Sequence, residues 1–473
     1  MTMAHAKVVG GGQYLHPDCP VLDEIVDRFK MRNPEYGRAQ SLIRSGKYVD
    51  LPEEYIYAAR ELPYSHPWAG GLQVPRCVDL RSYGFENHVR TSYPAARKVN
   101  LEPHIKLRDY QYLAIKKFVE VDSHARDAVV VAPCGAGKTT IGIGTIAAVS
   151  SPALVLVHTL DLATQWVTRC RQQLGEEALL IGGGNSSSKK DWDSQEKDAR
   201  IVVATFQTMY KWTWEERYNF GKHFGLVIVD EAHHVPANTF TEILMTLGAR
   251  FRLGLTATPE RADGLTNMLH WSLGEIIHEV TTPELIERGL VLAPRVVNLN
   301  TGWKPPQKEM EYTKMISAMC GNEDRTQLIL DTARRAVNNG RQVLVLSDRV
   351  QHCIDMAEKM SSVCISAALV GKVSKKKREE ILKKADEGEI RALFATTVAD
   401  EGLDLPGLDT VILTSPSSAM GRIQQRIGRI MRTKEGKQEP LVIDLVDDGG
   451  RFYGAAKKRR RLYSSLGCKM GVS

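Results

Sequence analysis

The densest chemistry in the chain lies in one octapeptide, Ala132-Pro-Cys-Gly-Ala-Gly-Lys-Thr139. It follows the apolar run Asp127-Ala-Val-Val-Val-Ala132 and precedes a long Ile/Ala-rich segment. Strand, glycine-rich loop, helix is the setting that a phosphate-binding loop requires. Gly135 and Gly137 let backbone N–H groups close around phosphate oxygens. Lys138 can place a cation on the β- and γ-phosphates, and the Thr139 hydroxyl can bind Mg2+. Ala132 stands where such a loop usually opens with glycine, and Cys134 reads as a spacer whose backbone N–H matters. Alone, the octapeptide also fits an ordinary strand–turn–helix. A second apolar run, Val227-Ile-Val-Asp-Glu-Ala-His-His234, argues against that reading because it ends in two adjacent carboxylates. A nucleotide-hydrolysing site needs one carboxylate in the Mg2+ shell, here Asp230, and one to orient or deprotonate water, here Glu231.

Such groups must stand at the ends of strands. Val129–Ala132, Ala153–Val157, Ile201–Ala204, Leu226–Val229 and Leu253–Thr256 are short and apolar on both faces, the mark of a buried parallel sheet covered by helices. Residues 294–473 repeat the theme with Val343–Leu346, Cys364–Leu369, Ala392–Ala395, Thr410–Leu413 and Leu441–Asp444. Residues 1–100 hold much of the Tyr and Pro, few long apolar runs and a helical candidate at Val21–Met31, which predicts a small accessory domain of mixed structure. Gly182–Lys190 reads as a surface loop, Gly302–Pro306 as irregular chain, and Phe452–Leu466 as an amphipathic helix with its Lys/Arg face outward.

The 473 residues are 43% hydrophobic and 25% charged, ordinary globular proportions that favour about three domains. No stretch approaches the roughly 18 uninterrupted apolar residues of a membrane span. Met1–Gln13 lacks the basic region and apolar core of a secretory signal. The eight cysteines are scattered with no C-x-x-C pair, which argues against a zinc site or a disulfide framework. These features predict a cytoplasmic protein with no membrane partner. Net charge is +7 and unevenly spread. It is +2 over residues 1–100 (13 basic, 11 acidic), −4 over 101–293 (19 against 23) and +9 over 294–473 (31 against 22). Two basic clusters, Lys375-Lys-Lys-Arg378 and Lys457-Lys-Arg-Arg-Arg461, beside a nucleotide site point to a polyanion partner.

With these motifs in order, the chain resembles superfamily 2 helicases and translocases over roughly residues 105–445. Leu107-Arg-Asp-Tyr-Gln111 looks like the family's Q-motif, with Arg108 and Gln111 at the adenine. Pro133, Cys134, Gly135, Ala136, Gly137, Lys138, Thr139 and Thr140 are similar to motif I. Asp230-Glu-Ala-His233 is similar to the DEAH form of motif II, and Leu255-Thr-Ala-Thr-Pro259 to motif III. Glu401-Gly-Leu-Asp404 resembles motif V, with Gly402 and Asp404 near the ribose. Gln425-Arg-Ile-Gly-Arg-Ile-Met-Arg432 resembles motif VI. The resemblance implies two tandem RecA-like α/β domains with parallel sheets, 105–293 and 294–473, and a mixed N-terminal accessory domain, 1–104. It implies ATP with Mg2+ on Thr139 and Asp230, and Gln425 placing water. Arg429 and Arg432 would act as arginine fingers in an ATP site completed between two lobes, so that hydrolysis loosens them. It also implies nucleic-acid contacts at His158, Thr159 and Gln165, at Thr205, Phe206 and Gln207, and at Arg349 and Thr396. The polar groups of this set also fit plain strand-end caps.

Finer details resemble the XPB-like and phage UvsW-type branch. They are Gly254-Leu-Thr-Ala-Thr-Pro-Glu-Arg-Ala-Asp-Gly264, Asp324-Arg325, Val343–Arg349 with His352, and the closing Phe452…Tyr463…Gly467. Phe29–Tyr36 and Leu72–Arg76 are similar to that branch's N-terminal duplex-binding module, with Cys77 where many relatives have glycine. The resemblance implies an ATP-dependent DNA helicase or branch-migration translocase in repair or recombination. Its partner would be forked, branched or duplex DNA, with a single strand in the motor track. A restriction-complex motor, an RNA helicase and a nucleotide-gated scaffold are the alternatives.

Overall fold

The computed structural model describes the chain apart from residues 1–5, 10, 45, 47, 63–68, 84, 86–89, 94–96, 121–125, 184–191, 193–198, 232–236, 259–264, 308–309, 372, 397–404, 418 and 472–473. By internal contacts it forms two compact units, Met1–Ala132 with Gly137–Glu279, and Pro133–Ala136 with Val280–Ser473. No described helix is long and apolar enough to cross a membrane.

The N-terminal strands are β1 (Ala6–Val9), β2 (Gly12–Leu15), β3 (Lys30–Arg32), β4 (Tyr55–Tyr57), β5 (Arg60–Glu61), β6 (Leu72–Pro75) and β7 (Arg90–Ser92). Five form a sheet in the order β5-β6-β2-β1-β7, antiparallel except for β1 with β7, while β3 and β4 make a separate antiparallel ribbon. The helix expected at Val21–Met31 ends at Arg28, and Met31 belongs to β3. The turn to strand suits Met31, which packs partly buried against the N-terminal core.

Residues 1–104 read as an accessory domain, yet their described part shares one core with the segment that follows. Leu15, Ile25, Phe29 and Val74 pack in a single cluster with Leu265 and Met268 of the following segment, and Phe29 meets Trp271 edge-on at 5.2 Å. Buried Arg76 donates through Nε to Asp127 Oδ2 at 2.7 Å and through Nη1 to Ala249 O at 2.6 Å. Arg252, also buried, donates to the carbonyls of Gly11, Leu244 and Leu247 at 2.6–2.9 Å. Burial, then the like charge of Arg76, pushes its guanidinium down to about 10. Removing one member of such a set leaves charge or carbonyls without partners, which is strongly destabilising. The N-terminal segment therefore completes the core of the first unit.

The large sheet of this unit contains β8 (Arg126–Val131), β9 (Ala153–Val157), β10 (Leu179–Ile181), β11 (Ile201–Thr205), β12 (Leu226–Asp230), β13 (Phe251–Thr256) and β14 (Ile276–Glu279). All pairings are parallel, in the order β10-β11-β9-β12-β13-β8-β14. The second unit has β15 (Arg295–Asn300), β16 (Val343–Leu346), β17 (Ser366–Leu369), β18 (Ala392–Ala395), β19 (Thr410–Leu413), β20 (Leu441–Val446) and β21 (Lys469–Met470). It too is wholly parallel, in the order β17-β18-β16-β19-β20-β15-β21. Central strands such as β9, β12 and β16 are buried along their whole length, as sheets covered on both faces require.

The C-terminal helix spans Gly450–Ser465. Its basic face is not wholly outward. Arg459 is buried and donates to Asp444 Oδ2 at 2.9 Å, and Tyr463 Oη donates to the same oxygen at 2.8 Å. Four cations of the cluster, Lys457, Lys458, Arg460 and Arg461, remain exposed. The helix docks through the spacing Phe452, Ala455, Arg459, Tyr463, with Phe452 against Trp303.

Arg325 and His352 have structural partners in the second unit. Arg325 donates through Nε and Nη2 to Asp447 at 2.7 and 3.0 Å and reaches Thr414 O. His352 joins Ser347 Oγ at 2.9 Å to Thr326 Oγ1 at 3.2 Å. Burial, then the charge of Arg325, pushes the imidazole from 6.5 down to about 4. The unfolded chain therefore holds an extra proton between these values, and stability falls as pH falls through that window. The full effect is at most about 3 kcal/mol. His352→Gln keeps donor and acceptor but does not titrate. In calorimetry from pH 7 to 4.5, the wild-type thermal midpoint should drop more steeply than the variant's; parallel curves would count against this.

Candidate nucleotide site and nucleic-acid track

Parallel strands bring their C-terminal ends to one edge of a sheet, and the order of the first large sheet decides what meets there. β8 and β12 both flank β13, so the octapeptide after β8 and the carboxylates ending β12 stand one strand apart. The chain after β13 lies between them. Ala132 N–H donates to Thr256 O and Glu231 N–H to Leu255 O, both at 2.9 Å, which ties the three strand ends together.

Within the loop, Gly135 and Gly137 have φ of 86° and 79°, left-handed values that suit glycine. Gly137 caps the helix Lys138–Val149, so the loop's N–H groups lead into a helix N-terminus. Arg108 caps the helix Asp109–Val119, where its N–H donates to Gln111 Oε1 at 3.0 Å. A β-carbon on Gly137 would fall 2.5 Å from Gln111 Nε2, so buried Gln111 lies directly against the loop. Thr140 Oγ1 accepts from Gln173 Nε2 at 3.3 Å.

Lys138 Nζ lies 3.1 Å from Glu231 Oε1 and 3.2 Å from Ala132 O. Glu231 Oε2 accepts from Ala257 N–H at 3.4 Å. Glu231 has φ of 50°, a left-handed backbone that costs a non-glycine residue about 1–2 kcal/mol. Asp230 is buried, and its Oδ2 accepts from Trp166 Nε1 at 2.8 Å. Gly142 permits this approach, because a β-carbon there would fall 2.5 Å from the Trp166 ring. Burial, then the adjacent Glu231, pushes the Asp230 carboxyl up to about 6, while Lys138 opposes. Asp230 Oδ1 is buried and has no hydrogen-bond partner among the described residues. A buried carboxylate oxygen left open beside a phosphate loop is what a divalent cation needs. Asp230 and Thr139 thus fit Mg2+, and the loop with Lys138 fits a nucleoside triphosphate.

The remaining residues divide. His158 is buried at the end of β9, and its carbonyl accepts from Gln207 Nε2 at 2.7 Å. Thr159 and Thr205 cap helices, accepting from Leu162 and Thr208 N–H at 3.4 and 3.3 Å. Gln165 is half-buried. Phe206 does not face a track: it is buried and packs against Phe240 at 5.8 Å, as an apolar ring at a sheet edge must. In the second unit Arg349 Nη2 donates to Thr313 O at 2.8 Å, and Thr396 ends β18 nearly buried. Gln425 and Arg429 share one face of the helix Met420–Ile430, and Arg432 follows its end. Gly402, Asp404 and His233 lie outside the described residues. Sequence reasoning missed Trp166 and Asp447, since neither belongs to a recognisable motif.

Two tandem RecA-like parallel sheets, with the glycine-rich loop and the Asp-Glu pair at the edge of the first, give the architecture of a helicase or translocase core. Residues 104–261 match the family described as type III restriction enzyme, res subunit, and residues 324–434 match the helicase conserved C-terminal domain. A DNA 3'-5' translocase XPB2 of Sulfurisphaera tokodaii is 27% identical over 421 residues, 81% of this chain and 91% of that protein. A putative DNA 3'-5' helicase Rad25 of Halobacterium salinarum is 26% identical over 488 residues, 98% of this chain and 76% of the relative. Among solved structures, the ATP-dependent type ISP restriction-modification enzyme LlaBIII bound to DNA shares the fold at TM-score 0.57 and 17% identity, over 77% of this chain and 31% of that one. Together these matches support a superfamily 2 helicase or translocase.

Proposed function

We propose that the protein is an ATP-driven DNA translocase of the XPB-like branch that remodels forked or branched duplexes. The observation that carries this is the cluster in which Lys138 pairs with Glu231 beside buried Asp230 at the phosphate loop. The names of the relatives, a DNA 3'-5' translocase and a DNA 3'-5' helicase, support DNA as the track and that polarity. Lys138 holds the β- and γ-phosphates, Asp230 with Thr139 holds Mg2+, and Glu231 orients the attacking water. Mg2+, when bound, supplies neutralising charge at the phosphates. Gln111 and Arg108 hold the adenine, with Asp404 at the ribose. Gln425 helps place the water, and Arg429 and Arg432 neutralise charge on the transferred phosphoryl group. Residues 105–293 and 294–473 serve as the two motor domains, and residues 1–104 direct the motor to its DNA.

The β3–β4 ribbon supports that last role. Lys30 pairs in register with Tyr57 and Arg32 with Tyr55, so two cations and two tyrosines share one face. Met31 and Ile56 alternate onto the other face and join the core. Stacking of a base on an aromatic ring is worth about 1–3 kcal/mol. Tyr57→Ala combined with Arg32→Ala should lower affinity for forked duplex about tenfold and leave single-strand affinity within twofold, read by anisotropy at several salt concentrations. Equal loss on both substrates would remove the targeting role.

ATPase assays with single-stranded, duplex, forked and four-way-junction DNA, and with RNA, test the reading as a whole. Forked or junction DNA should stimulate most; equal stimulation by RNA would overturn it. A second reading, the motor of a restriction complex, draws on the match of residues 104–261 to a restriction-enzyme subunit. A nuclease co-purifying with the chain would favour it.

A further inference from the structure

The segment Thr433-Lys-Glu-Gly-Lys437 reads in sequence as a plain polar turn. Lys437 N–H closes on Lys434 O at 3.1 Å, and Gly436 takes φ of 73° at the turn position where that sign is required. No atom lies within 4 Å of a β-carbon placed on Gly436, so the backbone conformation alone calls for glycine. The turn brings Lys437 back toward the preceding arginine. Its half-buried ammonium donates to Arg432 O at 2.8 Å and to Pro406 O at 2.9 Å. Arg432 also forms an antiparallel bridge with Val291, and Met431 O accepts from Leu292 N–H at 2.8 Å. Pro406 follows Asp404 by two residues.

Burial pushes the Lys437 amine down to about 8; Asp409 opposes this, while Arg432 and Lys434 push the same way. The amine thus gives up hydration to hold two carbonyls from separate segments, which a solvated surface lysine does not do.

We propose that Lys437 is a positioning residue for ATP hydrolysis. It fastens the chain after Asp404 to the residue that carries the second arginine finger, and so sets the direction of the Arg432 guanidinium. This rests on the arginine-finger reading above. The effect runs through alignment, so it falls on kcat and not on ATP affinity.

A double-mutant cycle on the full chain tests it. Lys437→Met keeps the unbranched apolar stem, one atom shorter, and removes both bonds. It should lower kcat about tenfold, the scale of one lost charge-assisted hydrogen bond, with KM for ATP within twofold. In an Arg432→Ala background the same change should have no further effect, because its route to the chemistry is already gone. An additive loss, or a wild-type kcat in Lys437→Met while Arg432→Ala is crippled, overturns the positioning role alone. A wild-type kcat in Arg432→Ala overturns the finger reading and this inference with it. Should Lys437→Met fail to fold, Gly436→Ala strains the turn while keeping the amine. It then takes the place of Lys437→Met in the cycle, where loss of kcat only in the presence of Arg432 supports the positioning role and an additive loss or a wild-type kcat overturns it.

Discussion

Arg432→Ala, and separately Arg429→Ala, should lower kcat for ATP by roughly 10³-fold with little change in KM, the low end for arginine fingers. In phosphoryl transfer, charge spreads over the equatorial oxygens as the bond to the leaving group loosens, and a cation placed there lowers the barrier without tightening the ground state. Gln425 and Arg429 lie four residues apart on the helix Met420–Ile430, with Gln425 nearly buried and its direction therefore fixed. The chain then leaves the helix, and Arg432 is held by its bridge to Val291. Steady-state kinetics with saturating DNA decide the matter: kcat within tenfold of wild type for both variants would retire the fingers.

Lys138→Ala and Glu231→Gln should separate binding from chemistry. Lys138→Ala removes the cation of the loop and should weaken nucleotide affinity, read by titration with a fluorescent ATP analogue. Glu231→Gln keeps the shape of the side chain and an oxygen able to accept from Ala257 N–H. It should therefore bind ATP with near wild-type affinity yet turn over about 10²-fold or more slower, the loss expected for a water-positioning group. Wild-type turnover in Glu231→Gln would falsify that assignment.

Much of the fold was legible because its central strands are buried on both faces. Val343–Leu346, Ala392–Ala395 and Thr410–Leu413 are continuous apolar runs, and the observed strands have those same limits. Three of the four edge strands of the large sheets were not legible. β10 and β21 have only three and two residues, and β14 includes His278 and Glu279, so none forms a run that composition can mark. The site shows the same division. Spacing within a motif marks Lys138, Asp230 and Glu231, since loop and strand end are local. Trp166 meets Asp230 across 64 residues, and only the parallel sheet brings them together. Arg459 looked like one more exposed cation because its partner, Asp444, lies on the preceding strand, 15 residues away. Phe206 was placed on the track by resemblance, although its apolar ring has more to gain in the core.

The left-handed backbone at Glu231 has an evolutionary consequence. The glutamate there adopts a backbone conformation that it disfavours, and glycine or asparagine at the same position would relax the chain. On the role in hydrolysis proposed for Glu231, selection for turnover and selection for stability would pull this one position in opposite directions. A descendant that kept nucleotide binding but no longer needed to move would drift toward the relaxed residue here, while Lys138 and Asp230 stayed under selection for binding. Residue 231 is thus where a family that has split into motors and nucleotide-gated binders should record the split.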